Sequence, residues 1–329
     1  MRDSPITPTI DFEKEGVQHG FLKLPHSHDG SAWGSIMIPV ACIKNGEGPT
    51  ALFTGGNHGD EYEGPLAILD MAQRLKAEAV SGRVILVPGM NYPALRAATR
   101  TSPIDKGNLN RSFPGRPDGT VTEKIADYFQ RSLLPLADLV VDVHSGGKTL
   151  DFVPFAAAHI LPDKTQQERC VAAMEAFGAP YSMMLLEIDA VGMYDSAAEE
   201  MGKTFVSTEL GGGGTARAAT VAIARRGLSN CLKHAGILAG EPERTESQRL
   251  DMPDGDCYVT SESSGLLELT ADLGERVEKG QVIARVHSIE RTGVAPEELR
   301  AGHGGILAGR HFPGLVGMGD SVAVIGIPQ

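Results

Sequence analysis

Short apolar runs typical of buried β-strands alternate with helix-like segments between residues 35 and 240 of this 329-residue chain. Such alternation favours a largely parallel sheet with helices on its faces. The predicted strands are Ser35–Ile43, Thr50–Thr54, Val84–Pro88, Leu139–Val143, Phe152–Ala157, Ser182–Glu187 and Lys203–Thr208. The predicted helices, whose apolar residues recur near helical spacing, are Pro65–Ala77, Thr122–Leu134, Asp163–Phe177 and Ala216–Ala235. We therefore expect an α/β fold with a mixed, largely parallel sheet flanked by helices.

The composition changes after this region. The segment Gly240–Arg249 is polar and contains a proline, as linkers often are. Beyond it, strand patterns and glycines dominate to the end of the chain. We expect two domains, a catalytic domain over residues 1–245 and a C-terminal all-β domain over residues 246–329.

Charge and composition exclude several classes of protein. The formal net charge of −12 argues against a nucleic-acid-binding surface, which needs clustered Lys and Arg. No apolar stretch approaches the roughly 20 residues of a membrane span, so no membrane partner is expected. The first ten residues lack a long apolar run, and the four cysteines form no CxxC pair. These features predict a cytoplasmic protein with reduced thiols, and they leave a homo-oligomer open.

Three of the predicted strands end at residues suited to metal binding or acid–base chemistry. His58 and Glu61 follow the strand that ends at Thr54, His144 follows Val143, and Glu209 follows Thr208. In open α/β sheets, ligands bind in the crevice outside the carboxyl ends of the strands. Two imidazoles and one carboxylate leave an exchangeable position on a tetrahedral Zn²⁺ ion, as hydrolytic sites require. We predict a metal site of this type at His58, Glu61 and His144.

Each residue alone also has a simpler structural explanation. His58 is explained as a buried or capping histidine, and Glu61 as a solvated carboxylate in the first turn of a helix. Glu209 is explained as a strand-end residue paired with a surface lysine. Their shared position at three strand ends favours the metal site. A carboxylate beside a metal-bound water can accept its proton and pass it to a leaving amine, so we assign that role to Glu209.

The C-terminal segment resembles the barrel-sandwich fold of biotinyl and lipoyl carrier domains. The resemblance rests on G-L-L-E-L at residues 265–269 and L-G-E-R-V-E-K-G-Q-V-I-A-R-V at residues 273–286. The carrier lysine of such domains, presented in a hairpin, is missing. A structural lid or an oligomer contact is therefore the better interpretation, and a non-enzymatic binding or carrier protein is an alternative for the whole chain.

Four motifs in the rest of the chain resemble the succinylglutamate desuccinylase/aspartoacylase family. They are G-G-N-H-G-D-E-Y-E-G at 55–64, N-L-N-R-S-F-P-G at 108–115, D-V-H-S-G-G at 142–147 and T-E-L-G-G-G-G at 208–214. The family is a branch of the zinc carboxypeptidase-like fold with an added β-rich C-terminal domain. The resemblance implies a single zinc ion on His58, Glu61 and His144, with Glu209 as the catalytic carboxylate.

The same resemblance implies how an N-acyl amino acid is bound. Asn110 and Arg111 match the pair that holds the substrate carboxylate, to which a guanidinium is also chemically suited. Arg100 resembles the upstream arginine that polarises the scissile carbonyl, with Arg96 as a rival. The chain is most similar to a bacterial branch that removes acetate from Nα-acetyl-L-2,4-diaminobutyrate in ectoine degradation. The ammonium group of that substrate needs an acidic partner, for which three residues are candidates: Glu187, Asp189 and Asp195.

The sequence thus predicts a zinc-dependent amidohydrolase that releases a short acyl group, acetate in our hypothesis, from a small N-acyl amino acid. Succinylglutamate desuccinylase or aspartoacylase activity is the alternative within the family. A zinc carboxypeptidase would use the same metal ligands and is a further alternative.

Overall fold

The structure of the chain is a computed structural model that describes residues 2–329. The strands are β1 (Thr7–Pro8), β2 (Gly16–Pro25), β3 (Ser35–Asn45), β4 (Thr50–Gly55), β5 (Gly82–Val87), β6 (Leu139–His144), β7 (Leu150–Phe152), β8 (Phe155–Ala158), β9 (Tyr181–Met184), β10 (Thr204–Glu209), β11 (Gln248–Asp251), β12 (Tyr258–Thr260), β13 (Gly265–Leu269), β14 (Arg276–Val277), β15 (Val282–His287), β16 (Glu297–Arg300), β17 (Gly305–His311), β18 (Leu315–Val316) and β19 (Ser321–Pro328). The α-helices are α1 (Glu63–Arg74), α2 (Tyr92–Ala97), α3 (Val121–Tyr128), α4 (Lys164–Phe177), α5 (Tyr194–Glu200) and α6 (Ala218–His234).

The centre of the molecule is a mixed sheet of 15 strands. Its middle strands β5, β4, β6 and β10 lie side by side and run parallel. Gly55 of β4 pairs with Val143 of β6, and His144 of β6 pairs with Glu209 of β10. This register places the carboxyl ends of the three strands next to one another, as the sequence predicts.

Helices cover both faces of this sheet and bury its apolar side chains. Successive residues of a strand point to opposite faces. Phe53 of β4 therefore packs in a core with residues of α1, α4 and α6, whereas its neighbour Leu52 packs with residues of α3 and α5. Strands buried on both faces need continuous apolar runs, which is why β4 and β6 could be recognised from the sequence. The α/β fold with a mixed sheet is confirmed.

The C-terminal part of the chain is built from strands, as expected. Strands β16, β15, β13 and β18 form a separate antiparallel sheet. Strands β17 and β19, however, belong to the large sheet, because β11 pairs with both β9 and β19 and because β7 pairs with β17. The domain boundary at residue 245 remains a prediction. Within residues 2–329, every helix is too short or too polar to cross a bilayer.

Some predicted elements differ from the structure. The predicted strand over 152–157 is two strands, β7 and β8, because Pro154 has no N–H to donate and interrupts the pairing. The predicted helix over 122–134 is α3 followed by a π-helical turn at Phe129–Leu133. Strand β9 ends at Met184, so Glu187 lies in a loop rather than in a strand.

Candidate active site

The loop between β4 and α1 carries His58 and Glu61. Gly59, between them, packs so tightly that a Cβ atom there would lie 2.0 Å from the carbonyl carbon of Ala94. Its amide donates to the Thr99 carbonyl over 3.0 Å. These contacts with α2 and the residues after it fix the loop, and they explain why the motif needs a glycine at this position.

His58, Glu61 and His144 come together in the structure, and all three are buried. Glu61 Oε1 lies 2.8 Å from His58 Nδ1, and Glu61 Oε2 lies 2.9 Å from His144 Nδ1. The ligand atoms of the three residues are within 4.8 Å of one another. The sequence-predicted trio is therefore a compact set of two nitrogen donors and one carboxylate.

Residues behind the trio orient both imidazoles. His144 Nε2 lies 2.7 Å from Asp142 Oδ2, and that carboxylate accepts hydrogen bonds from Asn57 and Thr54. His58 Nε2 lies 3.2 Å from Asn108 Oδ1. Metal-binding histidines usually donate their second N–H to an oxygen acceptor in this way. The donor set and its surroundings thus fit a divalent metal ion such as zinc.

The residues behind the trio are not among those predicted from the sequence. Asp142 and Asn57 lie inside the motifs D-V-H and G-G-N. The one signal available for Asp142 was its position two residues before His144, because residues two apart in a strand lie on the same face. Asn108 precedes the N-R pair by two residues. The contact between Asn108 and His58 joins residues 50 positions apart, and the sequence alone does not specify such a tertiary contact.

The pKa values of Glu61 and Glu209 are shifted in opposite directions by their surroundings. Burial favours the neutral form of Glu61, but the charges of His58 and His144 outweigh it and lower the pKa of this carboxyl. Burial, followed by the negative charge of Glu61, raises the pKa of Glu209 to about 8. A divalent cation at the trio would lower the pKa of Glu209 again, because it favours the charged carboxylate.

A cavity of about 130 Å³ adjoins the trio. Within residues 2–329, Glu209 Oε2 is buried there without a hydrogen-bond partner. The other predicted site residues that line the cavity are His58, His144, Arg100, Asn110 and Arg111. An unpaired carboxylate oxygen beside a metal-type site is the arrangement that a general base requires.

The three polar side chains from the region 100–111 have distinct environments. Arg100 Nη1 lies 3.4 Å from His58 Nδ1 and 3.7 Å from Glu61 Oε1, and its side chain is half-exposed. Asn110 Oδ1 accepts the amide of Tyr194 over 3.0 Å. Arg111 Nη1 donates to the Asn110 carbonyl over 2.6 Å. Arg96 is exposed on α2 and does not line the cavity, so Arg100 is the arginine at the trio.

The four glycines after Glu209 do not line the cavity. All of Gly211–Gly214 have positive φ, and a Cβ atom at Gly212 would lie 2.0 Å from the Leu150 carbonyl oxygen. The Gly211 carbonyl accepts the amides of Gly146 and Phe152. The glycines thus allow the backbone of residues 211–214 to pack closely against the loop after β6. Close approach to a ligand is not the reason for them.

Comparison with known proteins places the chain in a family. Residues 47–235 match the succinylglutamate desuccinylase/aspartoacylase catalytic domain. The chain is 60% identical to the N-alpha-acetyl-L-2,4-diaminobutyric acid deacetylase of Halomonas elongata over 99% of this chain and 96% of that protein.

Solved structures extend the likeness over the whole chain. The product-bound ectoine utilization protein EutE (DoeB) from Ruegeria pomeroyi is 64% identical, with a TM-score of 0.98 over 99% of this chain and 100% of that one. A succinylglutamate desuccinylase from Silicibacter sp. TM1040 is also 64% identical, with a TM-score of 0.96 and full coverage of both chains. The chain is an enzyme and belongs to the succinylglutamate desuccinylase/aspartoacylase family.

Proposed function

We propose that this enzyme is a zinc-dependent deacetylase that removes acetate from Nα-acetyl-L-2,4-diaminobutyrate in ectoine degradation. The observation that carries the proposal is the similarity at 60–64% identity, over nearly the whole chain, to a deacetylase with this name and to an ectoine utilization protein. The buried trio of His58, Glu61 and His144 supports the hydrolytic chemistry.

The residues around the trio have complementary roles in this reaction. His58, Glu61 and His144 would hold the zinc ion, which would supply Lewis-acid chemistry at the site. Glu209 accepts the proton of the attacking water at Oε2 and passes it to the nitrogen of the leaving amine. Arg100 donates to the acetyl oxygen, on which negative charge develops.

The substrate is held through its α-carboxylate. The Arg111 guanidinium lines the cavity and can bind a carboxylate with two parallel hydrogen bonds. Asn110 lies beside Arg111, and its side-chain oxygen accepts a hydrogen bond from the Tyr194 amide. A cavity of about 130 Å³ accommodates a small amino acid. The match to the succinylglutamate desuccinylase/aspartoacylase catalytic domain disfavours the carboxypeptidase alternative.

Succinylglutamate desuccinylase activity is the second candidate, because a relative at 64% identity has that name. The cavity lining disfavours it, since Glu187 and Asp195 would repel an acidic side chain. The non-enzymatic carrier alternative does not agree with membership of a hydrolase family.

A substrate panel tests the proposal. Zinc-loaded enzyme is assayed with Nα-acetyl-L-2,4-diaminobutyrate, N-succinyl-L-glutamate, N-acetyl-L-aspartate and a dipeptide, and free acetate, succinate or amino acid is measured. We expect kcat/KM for the diaminobutyrate substrate to exceed the others by about 10²-fold or more, as the loss of a matched charge pair predicts. Enzyme stripped by a chelator is the control and should be inactive until zinc is restored. Faster release of succinate would contradict the proposal.

A further inference from the structure

A second group of charged side chains lines the cavity beside the metal-type trio. Glu187 and Asp195 contribute to the cavity wall, and His159 lies next to them. His159 Nδ1 is 2.9 Å from Glu199 Oε1, and His159 Nε2 is 3.6 Å from Glu187 Oε1. One imidazole therefore faces three carboxylates. The group keeps a negative charge even when His159 is protonated.

Asp195 is the carboxylate of this group that forms no direct ion pair with the described residues, because a ring nitrogen of His159 lies within 4.8 Å of it but not within 4.0 Å. It is 5% exposed, and among residues 2–329 no Lys, Arg or His lies within 4.0 Å of its oxygens. Its Oδ1 accepts hydrogen bonds from Ser196, whereas Oδ2 has no hydrogen bond in the described chain. A buried carboxylate is costly unless it is paired, so an open cavity beside it indicates a cationic ligand.

The acidic and basic parts of the cavity are fixed relative to each other. Tyr194 precedes Asp195, and Asn110 precedes Arg111. The Tyr194 amide donates to Asn110 Oδ1 over 3.0 Å, and this hydrogen bond links the two parts of the cavity wall. The Phe113 amide also donates to the Gly192 carbonyl over 3.0 Å. One cavity thus presents a guanidinium and a carboxylate in a defined arrangement. An amino acid with a cationic side chain carries the complementary pair of charges.

We propose that Asp195, with Glu187 beside it, binds the side-chain ammonium of the substrate and determines specificity for a basic rather than an acidic amino acid. This inference rests on the proposed function. His159 and Glu199 act as positioning residues, because the His159 imidazole lies between Glu199 and Glu187 and fixes the Glu187 side chain.

Two further observations agree with this assignment. Burial raises the pKa of Asp195 to about 6, which leaves it mostly charged at neutral pH, and an ammonium in contact would lower it further. Asp189 is exposed, lies outside the cavity and uses its Oδ1 to accept the Val191 amide. Of the three acidic candidates, Asp195 in α5 and Glu187 in the loop before it therefore meet the substrate.

The test compares two substrates of equal length. Nα-acetyl-L-2,4-diaminobutyrate ends in an ammonium, and Nα-acetyl-L-norvaline has a methyl group in its place. We expect Asp195→Asn to lower kcat/KM for the diaminobutyrate substrate by about 10²-fold, as for a desolvated charge pair that loses one partner. The norvaline substrate should be hydrolysed at an unchanged or higher rate. Asp189→Asn is the matched control and should change neither.

The outcomes separate the inference from the proposed function. Equal losses on both substrates would overturn the inference, because a purely structural role of Asp195 affects both alike. If Asp195→Asn does not fold, Glu187→Gln is measured instead, with a smaller selective loss expected. A wild-type enzyme inactive on the diaminobutyrate substrate would overturn the proposed function and, with it, the inference.

The same side chains offer donors for a second metal ion, since the ligand atoms of His159, Glu187 and Asp195 lie within 4.8 Å of one another. Elemental analysis of zinc-loaded enzyme distinguishes the two cases. One equivalent of metal per chain, unchanged by Asp195→Asn, supports ammonium binding. Two equivalents in the wild type and one in the variant would overturn it.

Discussion

Glu209 has an environment that a purely structural residue would avoid. It ends β10 directly opposite His144, its Oε2 is buried without a hydrogen-bond partner among residues 2–329, and burial raises its pKa to about 8. Leaving a buried acceptor unpaired costs free energy that the fold must supply elsewhere. Such a cost is retained where a group must exchange a proton with a ligand. Glu209 is not one of the three residues whose ligand atoms lie within 4.8 Å of one another, so replacing its carboxyl group should leave metal binding intact.

We therefore expect Glu209→Gln to separate catalysis from metal binding. The amide has the same shape but cannot accept the proton of water, so kcat should fall by about 10²–10⁴-fold. Metal content, measured by mass spectrometry on the zinc-loaded protein, should stay at the wild-type value. Turnover at the wild-type rate would contradict the role of Glu209, and loss of the metal would make it a ligand instead.

Among the secondary-structure elements, the strands that lead to His58, His144 and Glu209 could be predicted, whereas the helix that carries Asp195 could not. Strands β4, β6 and β10 are short apolar runs, and parallel strands with adjacent carboxyl ends bring His58, His144 and Glu209 together. Strand β2, which alternates exposed residues with mostly half-buried ones, and the seven-residue helix α5 were not predicted. Helix α5 is positioned by tertiary contacts, such as that between His159 and Glu199, which join residues 40 positions apart. No local pattern encodes such a contact.

The conformation of the loop between β4 and α1 depends on Gly59. Gly59→Ala would place Cβ 2.0 Å from the Ala94 carbonyl carbon, so the loop or α2 must move. Overpacking of this kind costs about 1–3 kcal/mol, and here the shift falls between His58 and Glu61. We expect lower stability in denaturant and a metal content well below the wild-type value.

Gly255→Ala is the control for this variant, because a Cβ atom there meets nothing within 4 Å. It should match the wild type in both measurements. A Gly59→Ala protein with wild-type stability and full metal content would show that the loop adapts and that its close contact with Ala94 is not needed.

At the scale of the whole molecule, the large sheet crosses the predicted domain boundary at residue 245. Strand β11 lies between β9 and β19, and a shared core contains Phe155 and Met183 from one side of the boundary and Leu250 and Ile306 from the other. Within residues 2–329, all six α-helices lie before the boundary. A continuous sheet and a shared core couple the two parts energetically, so they should unfold as one cooperative unit.

Leu250→Ala tests this coupling. Leu250 is fully buried in the shared core, and its removal should lower the free energy of unfolding by about 2–5 kcal/mol. Circular dichroism at 222 nm follows the helices before residue 245, and the reactivity of the buried Cys257 thiol, located by peptide mass, follows the strands after it. We expect both probes to move together to lower denaturant in the variant. Leu266→Ala, at a half-exposed leucine, is the control and should change stability by about 0.5 kcal/mol or less. If Cys257 became reactive before the helices unfolded, residues 246–329 would be an independent domain rather than part of one folding unit.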